Sequence, residues 1–153
     1  MKTLKDRLHE GQQIQQAITN LNKSYERRNS RLKKRLEHML QNEHTYFITF
    51  TIAPKYYDLN YNTYLRKIKE ALDGASGWVV NSDYGKTNER LHFHCVATFV
   101  SQLDYNTLNN IYKYGTIDFK PIYNTNEKAL REYLNKTFNH AVKQTAGKIH
   151  YSR

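Results

Sequence analysis

The chain is poor in the residues that cross-link or interrupt a fold. Its 153 residues include a single cysteine, two prolines, six glycines and one tryptophan. The lone cysteine, Cys95, excludes an internal disulfide, so we expect a reducing compartment such as the cytoplasm of a bacterium or a virus-infected cell. No apolar run is long enough to cross a bilayer, and the amino terminus is polar, unlike a secretory signal. The sequence therefore predicts no membrane partner.

Acidic residues are also few. The chain carries 24 lysines and arginines against 14 aspartates and glutamates, which gives a formal net charge of +10. Such a basic excess favours a polyanionic partner, and nucleic acid is the strongest candidate. A hydrophobic content of 39% with 13% aromatic residues indicates a globular protein rather than a disordered one.

Residues 1–42 form the first of two predicted parts. They contain no proline and one glycine, Gly11, and large apolar residues recur mostly three or four positions apart. This period predicts a basic amphipathic helix. Packing on the second domain, pairing with another copy and contact with nucleic acid all stay open for this helix. Its candidate nucleic-acid contacts are Arg28, Arg31 and Lys34.

Residues 43–153 form the second predicted domain, in which strands and helices alternate. The pattern predicts strands over 44–53, 77–84, 91–100, 116–123 and 147–152, and helices over 62–72, 104–112 and 126–143. Asp104 is expected to cap the second of these helices and Gly115 to stop it. A β-α-β-β-α-β order predicts an α+β fold, namely a ferredoxin-like antiparallel sheet with helices on one face. The other face is expected to be open to a ligand.

The strand over 91–100 contains the most informative motif, His92-Phe93-His94. Since successive side chains of a strand point to opposite faces, the two histidines share one face. An antiparallel partner strand would bring Asp83 alongside them, and Glu89 is the competing carboxylate. Two imidazoles and a carboxylate suit Mn²⁺ or Mg²⁺ that assists phosphate chemistry.

The helix over 126–143 contains a second group of candidate residues. Its apolar stripe consists of Leu130, Leu134, Phe138 and Ala141. Tyr133, Lys136 and His140 fall on one flank of that stripe. A lysine one turn from a tyrosine can offset negative charge that develops on a phosphate, so Tyr133 is a candidate nucleophile and Lys136 its neighbouring cation.

Together these residues resemble the HUH endonucleases. His92-Phe93-His94 is similar to the family's His-hydrophobic-His motif, and Tyr133-Leu134-Asn135-Lys136 to the tyrosine-x-x-lysine motif of its replication initiators. The stretch 47–51 resembles the first motif of the family, and Asp83 stands where the family usually places an acidic metal ligand. The resemblance covers residues 44–153, with the motifs in the family's order.

The resemblance implies initiation of rolling-circle replication. The enzyme would nick single-stranded DNA at a replication origin, form a 5′-phosphotyrosine link through Tyr133, and leave a 3′-hydroxyl for a polymerase. Thr137 stands where some phage initiators have a second tyrosine, so a second strand transfer would need another subunit, as in a homodimer, or a reversal of the first. No Gly-x-x-x-x-Gly-Lys loop is present, which suggests a host helicase or a nuclease domain cut from a longer chain. Arg90 and His140 are further candidate contacts to DNA.

Two alternatives to an initiator remain at this stage. A single-strand transposase of the same superfamily would use similar motifs, whereas a relaxase, with its tyrosine near the amino terminus, fits poorly. A non-catalytic RNA-binding module has the same strand order and can stack bases on exposed aromatic side chains. Metal-dependent nicking would distinguish the enzymes from the binding module.

Overall fold

The structure is a computed structural model that describes residues 3–84, 91–122 and 149–153. The side chains of residues 21, 22, 24, 25, 28, 29, 83 and 84 are outside the description as well. The segment that links the predicted strands over 77–84 and 91–100 lies outside the described residues, as does the predicted helix over 126–143. The chain divides into two compact units, Met1–Arg35 and Leu36–Arg153.

The helix predicted at the amino terminus is confirmed. Helix α1 spans Leu4–Met39, 36 residues, which corresponds to about 54 Å of helix. Thr3 caps its start, because the Thr3 N–H donates to Asp6 Oδ2 at 2.9 Å while the Asp6 N–H donates to Thr3 Oγ1 at 3.2 Å. Asp6 Oδ2 also accepts a hydrogen bond from the Thr3 hydroxyl at 2.7 Å, and the two hydrogen bonds that this carboxylate accepts, from the Thr3 N–H and from the Thr3 hydroxyl, lower the pKa of Asp6. Within the described ranges, no helix combines the length and the apolar character needed to span a bilayer.

The second unit is built on a five-stranded antiparallel sheet. The strands are β1 (Thr45–Phe50), β2 (Gly77–Tyr84), β3 (Leu91–Thr98), β4 (Ile117–Pro121) and β5 (Ile149–Tyr151). Their order across the sheet is β4-β1-β3-β2-β5. The first four strands in this order form the ferredoxin-like arrangement, so the predicted α+β fold is confirmed. Pro121 lies on the edge strand β4, where its missing N–H breaks no ladder between two neighbours.

Two helices connect parallel strands that have another strand between them. Helix α2 (Tyr61–Ala71) joins β1 to β2, and helix α3 (Tyr105–Ile111) joins β3 to β4. The side chain of Asn60 accepts a hydrogen bond from the Asn62 N–H at the start of α2. At the start of α3, Asp104 accepts one from the Asn106 N–H, so the predicted cap is confirmed. A 3₁₀ helix, Pro54–Tyr56, follows β1.

The main hydrophobic core lies between the sheet and these helices. Alternation along the strands sends one set of side chains to this side, and α2 and α3 add their apolar faces to it. Each fully buried aliphatic or aromatic side chain contributes about 1.5–3 kcal/mol through removal from water. The largest of them are Ile48, Phe50, Ile68, Leu72, Val80, Phe93, Leu108 and Tyr112.

Gly115 sits where two backbones approach closely, so we predict that Gly115→Ala destabilises the fold. A Cβ atom at this position would lie 2.1 Å from the carbonyl oxygen of Thr51 and 3.0 Å from the Cα of Ile52. Relief of that clash would have to move backbone, for which we expect a loss of about 2–3 kcal/mol and a melting temperature lower by about 5–10 °C. Gly74→Ala is the matched control, since a Cβ there meets nothing within 4 Å. Equal melting curves for the two variants would contradict this interpretation.

Candidate metal centre on the histidine face

The side of the sheet opposite α2 and α3 is defined here as the histidine face. Register places Thr49, His94 and Asn81 directly opposite one another on β1, β3 and β2. In the same way, Asp83 on β2 faces His92 on β3. Paired residues of neighbouring strands lie on the same side of a sheet, so all five residues belong to the histidine face.

The two histidines are neighbours on this face, as the alternation predicts. Their ring centroids are 4.8 Å apart and the ring planes are nearly perpendicular, at 86°. His92 is half-buried, whereas His94 is only 5% exposed. Two imidazoles at this separation can direct nitrogen atoms at a common point, which is what a divalent cation needs from a pair of ligands.

His94 contacts two residues of the neighbouring strand β1. The ring of Phe47 stacks on the His94 ring with centroids 5.6 Å apart and an interplanar angle of 16°. The Thr49 hydroxyl forms a long hydrogen bond with His94 Nδ1, at 3.4 Å between Oγ1 and the nitrogen. When Nδ1 carries the ring proton and donates a hydrogen bond to Thr49 Oγ1, the lone pair is on the other nitrogen, Nε2, which can then bind a metal.

The prediction that the second face of the sheet is open is wrong for parts of β1, β2 and β3. Thr45, Val79, Asn81, Val96 and Thr98 all lie on the histidine face and are buried. The Thr45 hydroxyl donates to the carbonyl oxygen of Met39, which brings the end of α1 to this side. Leu36, Met39 and Ile122 are also buried and lie outside the main core cluster. The sequence could not show this, because a covered polar strand has the same alternation as an exposed one.

The residues on the histidine face fit a divalent cation by the chemistry of their donors. Among the side chains that the structure describes, no group of three or more His, Cys, Asp or Glu residues converges on a metal position. The side chain of Asp83 and the whole of Glu89 are outside that set. The described part of the centre is therefore the histidine pair, and the backbone register brings Asp83 beside it as the pairing argument predicted.

The other predicted site residues divide between the described and the undescribed parts. Arg31 and Lys34 are exposed on α1, and Arg28 lies in the same helix with its side chain outside the description. The candidates that lie outside the described residues altogether are Arg90, Tyr133, Lys136 and His140. Their predicted roles stay predictions.

Sequence reasoning missed Thr49 and Phe47 as neighbours of His94. The resemblance of residues 47–51 to a family motif assigns no role to them, although alternation alone puts Phe47 and Thr49 on one face. What was missing is the register of β1 against β3, two strands that are about 45 residues apart in the chain. Sequence spacing carries no record of such a long-range pairing.

Three buried tyrosines are excluded as free nucleophiles. The hydroxyl of Tyr64 donates to the carbonyl oxygen of Tyr56, and that of Tyr112 donates to the carbonyl oxygen of Thr51. The hydroxyl of Tyr46 accepts from the Leu103 N–H at 2.9 Å. Burial raises the pKa of both Tyr64 and Tyr112 above that of a free phenol. These hydroxyls secure loops, and the two raised pKa values oppose the phenolate that attack requires.

Comparison with known proteins supports the fold. The chain is similar in structure to the hypothetical protein ORF119 from Sulfolobus islandicus rod-shaped virus 1, with a TM-score of 0.50 and 23% sequence identity. The match covers 69% of this chain and 92% of that protein. At this level of identity, the likeness shows a common fold and nothing about activity. No protein-family model matches the chain, and no curated protein does so.

Proposed function

We propose that this protein is a metal-dependent endonuclease that nicks and joins single-stranded DNA and initiates rolling-circle replication. The observation that carries the proposal is the pair of adjacent imidazoles, His92 and His94, on a central strand of the sheet with Asp83 opposite His92. Two neutral nitrogen ligands and one carboxylate leave positions for phosphate oxygens on Mn²⁺ or Mg²⁺. The cation, when bound, would polarise the scissile phosphate and offset its negative charge.

The chain's own residues then have separate tasks at this centre. His92, half-buried, stands on the more accessible side of the pair, whereas His94 is enclosed and oriented by Phe47 and Thr49. Ligands that are held in one orientation lose little freedom when a cation binds, which raises the affinity of the site. Because His94 is only 5% exposed, water would have little access to its ring.

Tyr133 is the proposed nucleophile. Its phenolic oxygen would attack the phosphorus while the bond from phosphorus to the 3′-oxygen breaks, so one phosphodiester replaces another without net hydrolysis. The tyrosine loses its proton, the departing 3′-oxygen gains one, and Lys136 would offset the charge on the phosphate. In the sequence, Tyr133 lies between the two edge strands of the sheet that carries the histidines, β4 and β5.

The charge of α1 supports a nucleic-acid substrate. Residues 23–35 contain seven lysines and arginines and one acidic residue, Glu26. A helix segment of this composition neutralises phosphates with little regard to sequence, and its contribution falls as salt rises. We therefore assign Arg28, Arg31 and Lys34 to contacts with the phosphate backbone of the DNA, and recognition of the nicking site to the sheet unit.

The decisive experiment is a search for a covalent protein–DNA adduct. A randomised pool of single-stranded oligonucleotides, labelled at the 3′ end, is incubated with the full chain and Mn²⁺ and run on a denaturing gel. The proposal predicts a labelled species that migrates with the protein, is absent with EDTA, and is absent when single-stranded RNA replaces DNA. Tight binding of RNA without any adduct would favour the RNA-binding module instead.

Thr49 offers a specific prediction about the metal centre. Thr49→Val keeps the shape of the side chain but removes the hydroxyl next to His94 Nδ1, so we expect Mn²⁺ affinity to fall by about 10-fold or more. Thr49→Ser keeps the hydroxyl and should retain most of the affinity. Isothermal titration with Mn²⁺ measures both, with the melting temperature of the metal-free protein as a check on folding. Equal Mn²⁺ affinities of the wild type and Thr49→Val would show that Thr49 has no role in the metal centre, without affecting the assignment of the histidines.

A further inference from the structure

The apolar residues of α1 repeat with a period of seven. Leu4, Ile18, Tyr25, Leu32 and Met39 are separated by multiples of seven residues, and Gly11 occupies the remaining position of that series. Adjacent positions three or four residues away add Leu8, Ile14, Leu21 and Leu36 to the same side. A strict seven-residue period corresponds to 3.5 residues per turn, which is the period of a left-handed two-stranded supercoil rather than of a helix lying on a globular core.

The amino-terminal part of this repeat is exposed. Leu4, Leu8, Ile14 and Ile18, defined here as the exposed seam, have 75%, 61%, 62% and 46% of their surface accessible. At the other end of α1, Leu36 and Met39 belong to the same repeat and are buried. Large apolar side chains in a continuous row on a helix mark an interaction surface, because the row gains free energy when it leaves water.

The charges on α1 indicate what covers the seam. Residues 4–22 contain two basic residues, Lys5 and Arg7, and two acidic residues, Asp6 and Glu10, so their formal net charge is zero. Residues 23–35 instead carry seven basic residues and one acidic residue. The first segment can therefore lie against a copy of itself without charge repulsion, whereas the second repels its own copy and suits a polyanion.

The length and the polar residues of the seam also fit a second copy. Residues 4–22 extend over about 28 Å of helix and nearly three heptads, close to the minimum for a coiled coil. Seven and fourteen residues after Leu8 stand two amide side chains, Gln15 and Asn22. An amide in the seam of a coiled coil favours a defined register and two strands, at some cost in stability. One charged residue, Arg7, stands in the series of Ile14 and Leu21, and the acidic residues Asp6 and Glu10 lie close to it in the same helix.

We propose that residues 4–22 of α1 pair with the same segment of a second copy of this chain to form a short two-stranded coiled coil. The segment is short and includes Gly11, so the dimer is a weak one, with a dissociation constant of about micromolar order. The basic residues 23–35 stay outside the pairing and remain available to nucleic acid. Self-association is independent of the nuclease proposal, since it requires neither metal nor DNA.

Sedimentation equilibrium of the full chain, free of nucleic acid and over a range of concentrations, tests the pairing. We expect a monomer–dimer equilibrium for the wild type, and at least a 100-fold weaker association for the double variant Leu8→Glu, Ile18→Glu. The double variant Gln13→Glu, Asn20→Glu is the matched control, because it adds the same two negative charges at exposed positions on the opposite side of the helix and should leave the equilibrium unchanged. Raising the NaCl concentration should not dissociate the dimer, since the four residues of the exposed seam are apolar.

Two outcomes would overturn the proposal. The first is a wild type that stays monomeric throughout the range. The second is a dimer that the double variant leaves intact, which would place the interface elsewhere on the chain. Weakened DNA binding by that same variant would then make the seam part of the DNA surface. Because both substitutions are on exposed positions, the melting temperature of the sheet unit should be unaffected, which separates lost pairing from lost folding.

Discussion

Replacement of either histidine of the pair should abolish formation of the protein–DNA adduct. We expect His92→Ala and His94→Ala to lower adduct yield at least about a hundredfold, because each removes one of the proposed ligands of a cation that would supply several kcal/mol of charge stabilisation. Mn²⁺ at about 100 times its dissociation constant should stabilise the wild type by about 2.7 kcal/mol, or roughly 5–10 °C in melting temperature. Both variants should lose that thermal shift.

His94→Ala requires its own reference, because the ring is buried and stacked on Phe47. Its removal opens a space in a covered part of the sheet and lowers stability even without metal, so each variant's thermal shift is measured against its own metal-free melting temperature. The exposed His38→Ala serves as the matched control and should behave as the wild type. Full adduct yield from His92→Ala would mean that the histidine pair has no part in the chemistry.

The third ligand can be identified by the same measurement. Asp83→Asn and Glu89→Gln each remove one negative charge with little change in volume. The register of β2 against β3 favours Asp83, so its variant should lose the Mn²⁺ shift and the Glu89 variant should keep it. The opposite result would transfer the carboxylate role to Glu89 without affecting the assignment of the histidines.

Tyr133→Phe should eliminate the covalent adduct while leaving binding of single-stranded DNA intact. The substitution removes one oxygen atom, and without that oxygen no phosphotyrosine can form at this position. We expect adduct formation to fall below detection, with a dissociation constant for DNA within about twofold of the wild type, since the phosphate contacts of the basic residues are unchanged. Mass spectrometry of a trapped wild-type complex should place the nucleotide on the peptide that contains Tyr133.

Tyr151 is the natural control for this experiment. It lies on β5 opposite Val79, and therefore on the histidine face, so position alone makes it a competitor for the role of nucleophile. Tyr151→Phe should retain the adduct. An adduct that maps to Tyr151, or one that survives Tyr133→Phe, would show that Tyr133 is not the nucleophile. The histidine variants test the metal centre independently of that result.

The local parts of the fold were predictable from the sequence. Alternating β-branched and aromatic residues indicated β1 to β3, and Asp104 caps α3 as expected. The shared face of His92 and His94 followed from the two-residue period of a strand, and the pairing of Asp83 with His92 followed from a hairpin between β2 and β3. All of these features depend on residues that are close together in the chain.

Features that depend on distant residues were not predictable. The contact of Thr49 with His94 joins β1 to β3, and nothing in the spacing of those strands states their register. Gly115 was expected to stop α3, but α3 ends at Ile111. A glycine is needed at position 115 for another reason, because any side chain there would clash with the backbone of Thr51. The covering of the histidine face depends in the same way on tertiary packing, which overrides the local pattern.

The reactivity of Cys95 can report the opening of strand β3 next to the histidine pair. The thiol lies on β3 directly after His94, is fully buried, and has a pKa raised by that burial. A thiol reagent can therefore react only when this strand opens, since both access and the thiolate are denied in the closed protein. The rate of alkylation of the native chain thus reports the free energy of opening at the strand that carries both histidines, at the position next to His94.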